Sequence, residues 1–161
     1  MRLSTRGRYA VMAMVEMAVR QRGGDLTCLQ ERPVSLADIA SAQQLSLAYL
    51  EQLFGRLRRA GLVASARGPG GGYRLARAPE AIAVAEIVDA VDEPIRATRC
   101  EEGSPGCLAA GGKCVTHDLW SELVEQIRLF LASMTLADIV GGTVRGRAAP
   151  PLLAGPPQAA E

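Results

Sequence analysis

The sequence predicts a mainly α-helical fold with a small β wing and a long dimerisation helix. Three observations support this fold class. Two short amphipathic segments follow one another between residues 36 and 59, two strand-like segments flank the glycine run 68–72, and apolar residues recur every three or four positions from 120 to 134. Of the 161 residues, 48% are hydrophobic and 22% are charged, which is typical of a folded chain and excludes a disordered or collagen-like one.

The first predicted helix runs from Thr5 to Arg20. Its apolar stripe consists of Ala10, Val11, Met14, Val15, Met17 and Ala18. Gly23-Gly24 ends it. The apolar run is too short to cross a membrane, and no small-residue cleavage site follows it, so we expect a cytoplasmic protein without membrane contact.

Two short helices are predicted next. Ser35 is placed to cap the first helix, with Asp38 three positions later, and Ser46 is placed to cap the second. The residues expected to be buried are Leu36, Ile39 and Ala40 in the first helix and Leu47, Leu50, Leu53, Phe54 and Leu57 in the second. The second helix also has a polar and basic face, which is typical of a helix-turn-helix at about 36–59, although an ordinary helical hairpin is the alternative.

A β hairpin is predicted directly after these helices. Gly61 ends the second helix, residues 62–67 and 73–75 read as strands, and the glycine run connects them. This order describes a winged helix-turn-helix domain over residues 1–78, with its wing at about 62–76 bracketed by Arg67 and Arg74. The glycine run lacks the spacing of nucleotide-binding loops, so we interpret it as a turn that lets the backbone approach DNA.

Charge divides the chain into two halves. Residues 1–77 contain twelve arginines and five acidic residues, whereas residues 78–161 contain six basic and twelve acidic residues. The basic half, residues 1–77, is called the head below, and its charge indicates that it binds a polyanion. Arginine side chains suit bidentate contacts with phosphate and guanine. The alternative is an arginine-rich surface that is merely solvated.

The second half, residues 79–141, is predicted to hold a short helix at 82–91, a glycine-rich loop and a long helix from 118 to about 140. The apolar seam of the long helix comprises Trp120, Leu123, Val124, Ile127, Phe130, Leu131 and Met134. Such a helix needs a surface on which to bury its seam. A second copy of the chain supplies such a surface if the protein forms a dimer. The alternative is that the helix packs on the head of the same chain. Residues 142–161 are rich in Gly, Pro and Ala, and we predict a disordered tail.

A group of soft and borderline ligands lies in the loop. It comprises Cys100, Cys107, Cys114 and His117, the only histidine in the chain. Clustered cysteines in a cytoplasmic protein are typical of metal ligands or redox thiols. Four such ligands suit either zinc or a binuclear iron–sulfur cluster, and the six-residue gaps favour the wider cluster. Zinc and a thiol redox switch remain alternatives, while Cys28 stands apart and is interpreted as a small apolar residue.

Four stretches of the sequence resemble a known family. They are residues 1–11, 46–54, 67–73 and 98–120, the last running from Thr98-Arg99-Cys100 to Cys114-Val115-Thr116-His117-Asp118-Leu119-Trp120. Together they resemble the IscR family of iron–sulfur cluster regulators, which are bacterial winged helix-turn-helix transcription factors. The similarity extends from residue 1 to about residue 140.

The resemblance implies a homodimer that binds double-stranded DNA at a roughly palindromic operator and carries a 2Fe–2S cluster. It implies cluster ligation by Cys100, Cys107, Cys114 and His117, and DNA contacts from Ser46, Tyr49, Glu51, Gln52, Arg58 and Arg67. Such a protein represses cluster-assembly genes when loaded and regulates other genes, as repressor or activator. The chain departs from the family pattern in its six-residue cysteine gaps, where five is common, and in Ala48, where serine is common.

The alternative functions are other regulators on the same scaffold and a small enzyme. A nitric-oxide or redox sensor, or a zinc-binding regulator, could use the same scaffold. A small metal or thiol enzyme would need an acid and a base beside a substrate pocket, and the sequence offers no such set. We therefore expect no catalytic residues and no small-molecule substrate.

Overall fold

A computed structural model describes residues 5–22, 33–68, 70–91, 107–108 and 111–144. The helices are α1 (Thr5–Arg22), α2 (Leu36–Gln43), α3 (Leu47–Arg59), α4 (Val84–Ala90), α5 (His117–Ser133) and α6 (Leu136–Val140), with a 3-10 turn at Pro79–Ala81. The strands β1 (Val63–Ala66) and β2 (Gly72–Leu75) form an antiparallel hairpin. The predicted fold class, mainly helical with a small β wing, is confirmed.

The helix-turn-helix is formed by α2 and α3. The Ser35 hydroxyl accepts a hydrogen bond from the Asp38 N–H at 3.1 Å, as its predicted capping role requires. Helix α2 ends where Gln44 adopts a left-handed conformation with φ of 52° and ψ of 42°, and the Gln44 N–H donates to the Ala40 carbonyl. Helix α3 begins three residues later, so the predicted helix-turn-helix at 36–59 is confirmed.

The wing is joined to the segment that precedes α2 by an isolated β-bridge between Val34 and Tyr73. Val34 and Tyr73 exchange two backbone hydrogen bonds of 2.8 Å, and the Tyr73 ring packs edge-on against Phe54 with centroids 5.0 Å apart. A Cβ on Gly72 would lie 2.3 Å from the Val34 carbonyl oxygen, so only glycine allows this close pairing. The wing is therefore fixed at its base.

One hydrophobic core includes elements from both halves of the chain. It contains Met14 and Met17 from α1 and Phe54 from α3, all fully buried. It also includes Ile82, Ile87, Val91 and Leu136. Elements on both sides of residue 78 thus contribute to the same core, and the division into a DNA-binding and a dimerisation domain stays a prediction.

The long helix predicted to reach residue 140 ends earlier. Met134 is extended, and the Val84 N–H donates to its carbonyl at 2.8 Å, while the Leu136 N–H donates to the Ile82 carbonyl at 3.0 Å. Thr135 then caps α6 in a capping box with Asp138. The backbone pairing and the new cap replace helix continuation, and they place Leu136 in the core. The same pairing makes α4 start at Val84 rather than at residue 82.

The predicted disordered tail falls mostly on residues 145–161, which lie outside the described residues, as does Cys28. Among the described helices, none is both long and apolar enough to span a membrane.

Candidate DNA interface and cluster site

The exposed surface of α3 carries most of the predicted DNA-contacting side chains. Ser46, Glu51, Gln52 and Arg58 are exposed, because Leu50, Leu53, Phe54 and Leu57 bury the opposite side of the helix. Tyr49 is half-buried, and its ring meets the Tyr9 ring edge-on at 6.1 Å. Part of its ring is therefore used for packing against α1.

One residue of α3 is not where the sequence predicts it. Leu47 was expected on the buried stripe, but it is 43% exposed. As the first residue of α3 it lies at the edge of the head, where the packed core of Leu50 and Phe54 has ended. The prediction of a buried Leu47 is therefore wrong.

The tip of the wing depends on glycine. Gly68 and Gly70 have φ of 107° and 77°, a conformation that residues with side chains rarely adopt. The Gly71 N–H closes the turn by donating to the Gly68 carbonyl at 2.8 Å. Arg67 is exposed at the start of this turn, at the place that the sequence predicts.

A buried glutamine, which sequence reasoning missed, fixes the far side of the wing. Gln21 of α1 is only 4% exposed, and its side-chain oxygen accepts a hydrogen bond from the Leu75 N–H at 3.2 Å. Leu75 is the last residue of β2, so this bond ties the returning strand to α1. A lone amide near the end of a helix gives no sequence signal for such a role.

Three of the four predicted cluster ligands lie in the described residues, at the start of α5. The Cys107 sulfur lies 3.0 Å from His117 Nδ1. The His117 N–H donates to the Cys114 carbonyl at 3.0 Å, and the Cys114 sulfur lies 3.6 Å from the Thr116 hydroxyl. Cys100 lies outside the described residues. Cys107 is exposed and Cys114 and His117 are partly exposed, so all three are accessible to a ligand.

The donor chemistry fits a metal or iron–sulfur group. Two thiols and an imidazole lie between residues 107 and 117, and the Cys107 sulfur and His117 Nδ1 are already adjacent. Two ligands of one tetrahedral metal ion lie about 3.6 Å apart, so the pair would separate slightly on binding. Within the described ranges no three His, Cys, Asp or Glu side chains are yet arranged around one point.

Helix α5 presents an unusual amount of apolar surface. Leu119, Trp120, Leu129 and Phe130 are 62%, 39%, 54% and 40% exposed. No residue of this described helix is fully buried. Leu108 and Val115, next to Cys107 and Cys114 in the chain, are also exposed. Of the predicted seam, Trp120 and Phe130 are exposed, and the other five residues are partly buried, namely Leu123, Val124, Ile127, Leu131 and Met134. Leu119 and Leu129 add exposed apolar surface outside the predicted seam.

A family model described as Rrf2, iron-dependent transcriptional regulator, matches residues 3–142. The HTH-type transcriptional regulator IscR of Yersinia pestis is 52% identical over 140 residues, which are 87% of this chain and 79% of that protein. An HTH-type transcriptional regulator, ORF2, of Azotobacter vinelandii is 53% identical over 140 residues, with the same shares covered.

Solved structures match as well. The IscR structure from T. potens has a TM-score of 0.68 and 36% sequence identity, covering 92% of this chain and 93% of that one. CymR, described as the global cysteine regulator of B. subtilis, has a TM-score of 0.67 and 34% identity, covering 88% of this chain and 98% of that one.

Proposed function

The chain belongs to the Rrf2 family of transcriptional regulators, and on that premise we propose that it senses iron–sulfur cluster status and represses cluster-assembly genes when loaded. It is a DNA-binding transcriptional regulator rather than an enzyme. The observation that carries the sensing proposal is the adjacency of the Cys107 sulfur and His117 Nδ1, 3.0 Å apart, at the start of α5.

DNA is read by α3 and the wing. Helix α3 enters the major groove, where Ser46 and Gln52 reach base edges and phosphates. Glu51 would be repelled by phosphates and is tolerated where it accepts a hydrogen bond from a cytosine amino group. Arg58 and Tyr49 lie beside this contact surface. Arg67 enters the adjacent minor groove, where a narrow A·T tract concentrates negative potential.

Homodimerisation covers the apolar surface of α5. The exposed side chains Leu119, Trp120, Leu129 and Phe130 of one chain would pack against those of a second copy. Two heads held by paired α5 helices read two half-sites, so the operator is roughly palindromic.

Cys100, Cys107, Cys114 and His117 would hold a 2Fe–2S cluster. When bound, the cluster supplies a redox-active centre whose occupancy reports iron and sulfide supply. Cys107 and Cys114 hold the loop side of the site, while His117 belongs to the first turn of α5. Ligation from both sides would tie the loop to α5, and an imidazole ligand would raise the reduction potential above that of an all-cysteine site.

The test measures metal content and DNA binding on the same protein. Anaerobically purified chain should contain about two iron and two sulfide per protomer, with visible absorbance. It should bind a duplex selected from random DNA, and the apo form should bind cluster-assembly promoters less tightly. One equivalent of zinc without sulfide would establish the zinc-binding alternative. Cluster loss only on exposure to nitric oxide, with assembly promoters unaffected, would indicate a nitric-oxide sensor.

A further inference from the structure

Leu47 is the only large apolar side chain of the described helix α3 that is exposed. It is the first residue of α3, it is 43% exposed, and the exposed residues Ser46 and Ala48 flank it. Glu51, one turn later, is also exposed. A polar or charged residue would be better solvated at this position, whereas a leucine can make an apolar contact with a bound partner.

The helix geometry places Leu47 in line with two predicted DNA contacts. Residues four and eleven positions apart lie on one side of an α-helix, so Leu47, Glu51 and Arg58 form a single row along α3. This row borders the exposed face, and Leu47 is at its N-terminal end. In a helix-turn-helix the N-terminal residues of the second helix reach the base edges.

We propose that Leu47 is a specificity-determining residue that packs against the C5-methyl group of a thymine in the major groove, an inference that rests on the proposed DNA-binding function. The thymine methyl is the one large apolar group on the major-groove edges of the bases, and the other groups that distinguish the bases there are hydrogen-bond donors and acceptors. Leu47 has no hydrogen-bonding atom in its side chain, so it reads the methyl and gains nothing from the other edges.

The spacing also predicts where this thymine lies. Leu47 and Glu51 are separated by about 6 Å along the helix axis, and base pairs stack about 3.4 Å apart. The thymine therefore lies within about two base pairs of the cytosine whose amino group donates a hydrogen bond to Glu51. One such thymine occurs in each half-site.

The experiment removes the methyl group and the leucine separately. In the selected operator duplex, each thymine is replaced in turn, in both half-sites, by deoxyuridine, which lacks only the methyl group. The dissociation constant is measured for the full-length wild type, Leu47→Ala and Leu47→Val. The matched control is Val19→Ala, which removes another exposed apolar side chain, 49% exposed, from α1.

Deoxyuridine at one thymine position should weaken wild-type binding about fourfold per half-site, the effect of burying one methyl group. The affinity of Leu47→Ala for the unmodified operator should equal the affinity of the wild type for that deoxyuridine duplex. Replacing the same thymine by deoxyuridine should not weaken binding of Leu47→Ala any further. Val19→Ala should behave as the wild type. The inference is overturned if no deoxyuridine replacement affects the wild type, or if both Leu47 variants keep the full methyl dependence. Failure to select any duplex would overturn the proposed function instead.

Discussion

The Arg56 guanidinium of α3 donates a hydrogen bond to the main-chain carbonyl of Val91, with 3.4 Å between Nη1 and the oxygen. Arg6 of α1 donates to the same oxygen at 3.5 Å. Val91 directly follows α4 and precedes the stretch of sequence that contains Cys100. The carboxyl end of α4 is thereby held by α1 and by the DNA-reading helix at once.

The shared acceptor predicts that Arg6 and Arg56 are coupled. Arg6→Gln or Arg56→Gln should each lower the free energy of unfolding by about 1 kcal/mol, because the other guanidinium still satisfies the partly buried carbonyl. The double variant should lose more than the sum of the two, because that carbonyl then loses both donors. Urea unfolding of the four proteins measures the difference.

The control for this cycle is Arg59→Gln, which removes an exposed arginine of α3. Combined with Arg6→Gln it should give an additive loss. Additive losses for the Arg6 and Arg56 pair as well would contradict the coupling.

Local signals made the helix-turn-helix and the wing predictable from the sequence. Ser35 and Asp38 fix the start of α2, and in the wing glycine marks the places where the chain needs positive φ or close approach, as at Gly68 and Gly72. These features act within a few residues of one another, so the sequence displays them directly. The positions of the exposed arginines followed from the same elements.

Features that depend on distant contacts were not predictable. The break at Met134 depends on backbone pairing with Ile82 and Val84, some fifty residues earlier. The exposure of Leu47 depends on where the core ends rather than on helical spacing. Periodicity cannot reveal either, because both are properties of the packed tertiary structure.

The cap of α6 predicts a pH-dependent contribution to stability. The Thr135 hydroxyl and N–H donate to Asp138 Oδ2 at 2.7 and 2.8 Å, and these two bonds hold the pKa of Asp138 below its ordinary value of 3.8. A lowered pKa stabilises the fold above the unfolded-state pKa, and this contribution is lost as the pH falls through the folded-state value. Asp138→Asn should therefore reduce stability at pH 7, and the deficit should shrink below pH 3.8.

Thermal unfolding between pH 7 and pH 3 measures this effect. Asp89→Asn, which changes an exposed carboxylate of α4, is the matched control. Its difference in stability from the wild type should not change comparably between pH 7 and pH 3. A deficit for Asp138→Asn that is the same at both pH values would show that the carboxylate charge is unimportant to the cap.

The ligand set predicts which cysteines matter for iron. Cys100→Ala, Cys107→Ala and Cys114→Ala should each reduce iron and sulfide content to near zero, since each removes one of four ligands. His117→Cys should retain iron, because a thiolate can replace the imidazole, with a lower reduction potential. Cys28→Ala is the matched control and should retain full content. Metal analysis and visible spectra of anaerobic protein provide the measurement, and loss of iron from Cys28→Ala with retention in Cys107→Ala would show that the ligands are misassigned.

The wing predicts a contact that depends on the local width of the DNA. Arg67 is exposed where β1 enters a turn that Gly68 and Gly70 close, so its guanidinium can reach into a minor groove while the backbone stays near the phosphates. Arg67→Ala should weaken operator binding by about 1–3 kcal/mol and relax the preference for A·T pairs at that position. Arg20→Ala, which removes an equal charge from α1, should cost less and leave the preference unchanged. Titrations at fixed salt measure the affinity of each variant for A·T and G·C versions of the operator. If Arg67→Ala and Arg20→Ala lose equal affinity for both versions, Arg67 contributes only its positive charge.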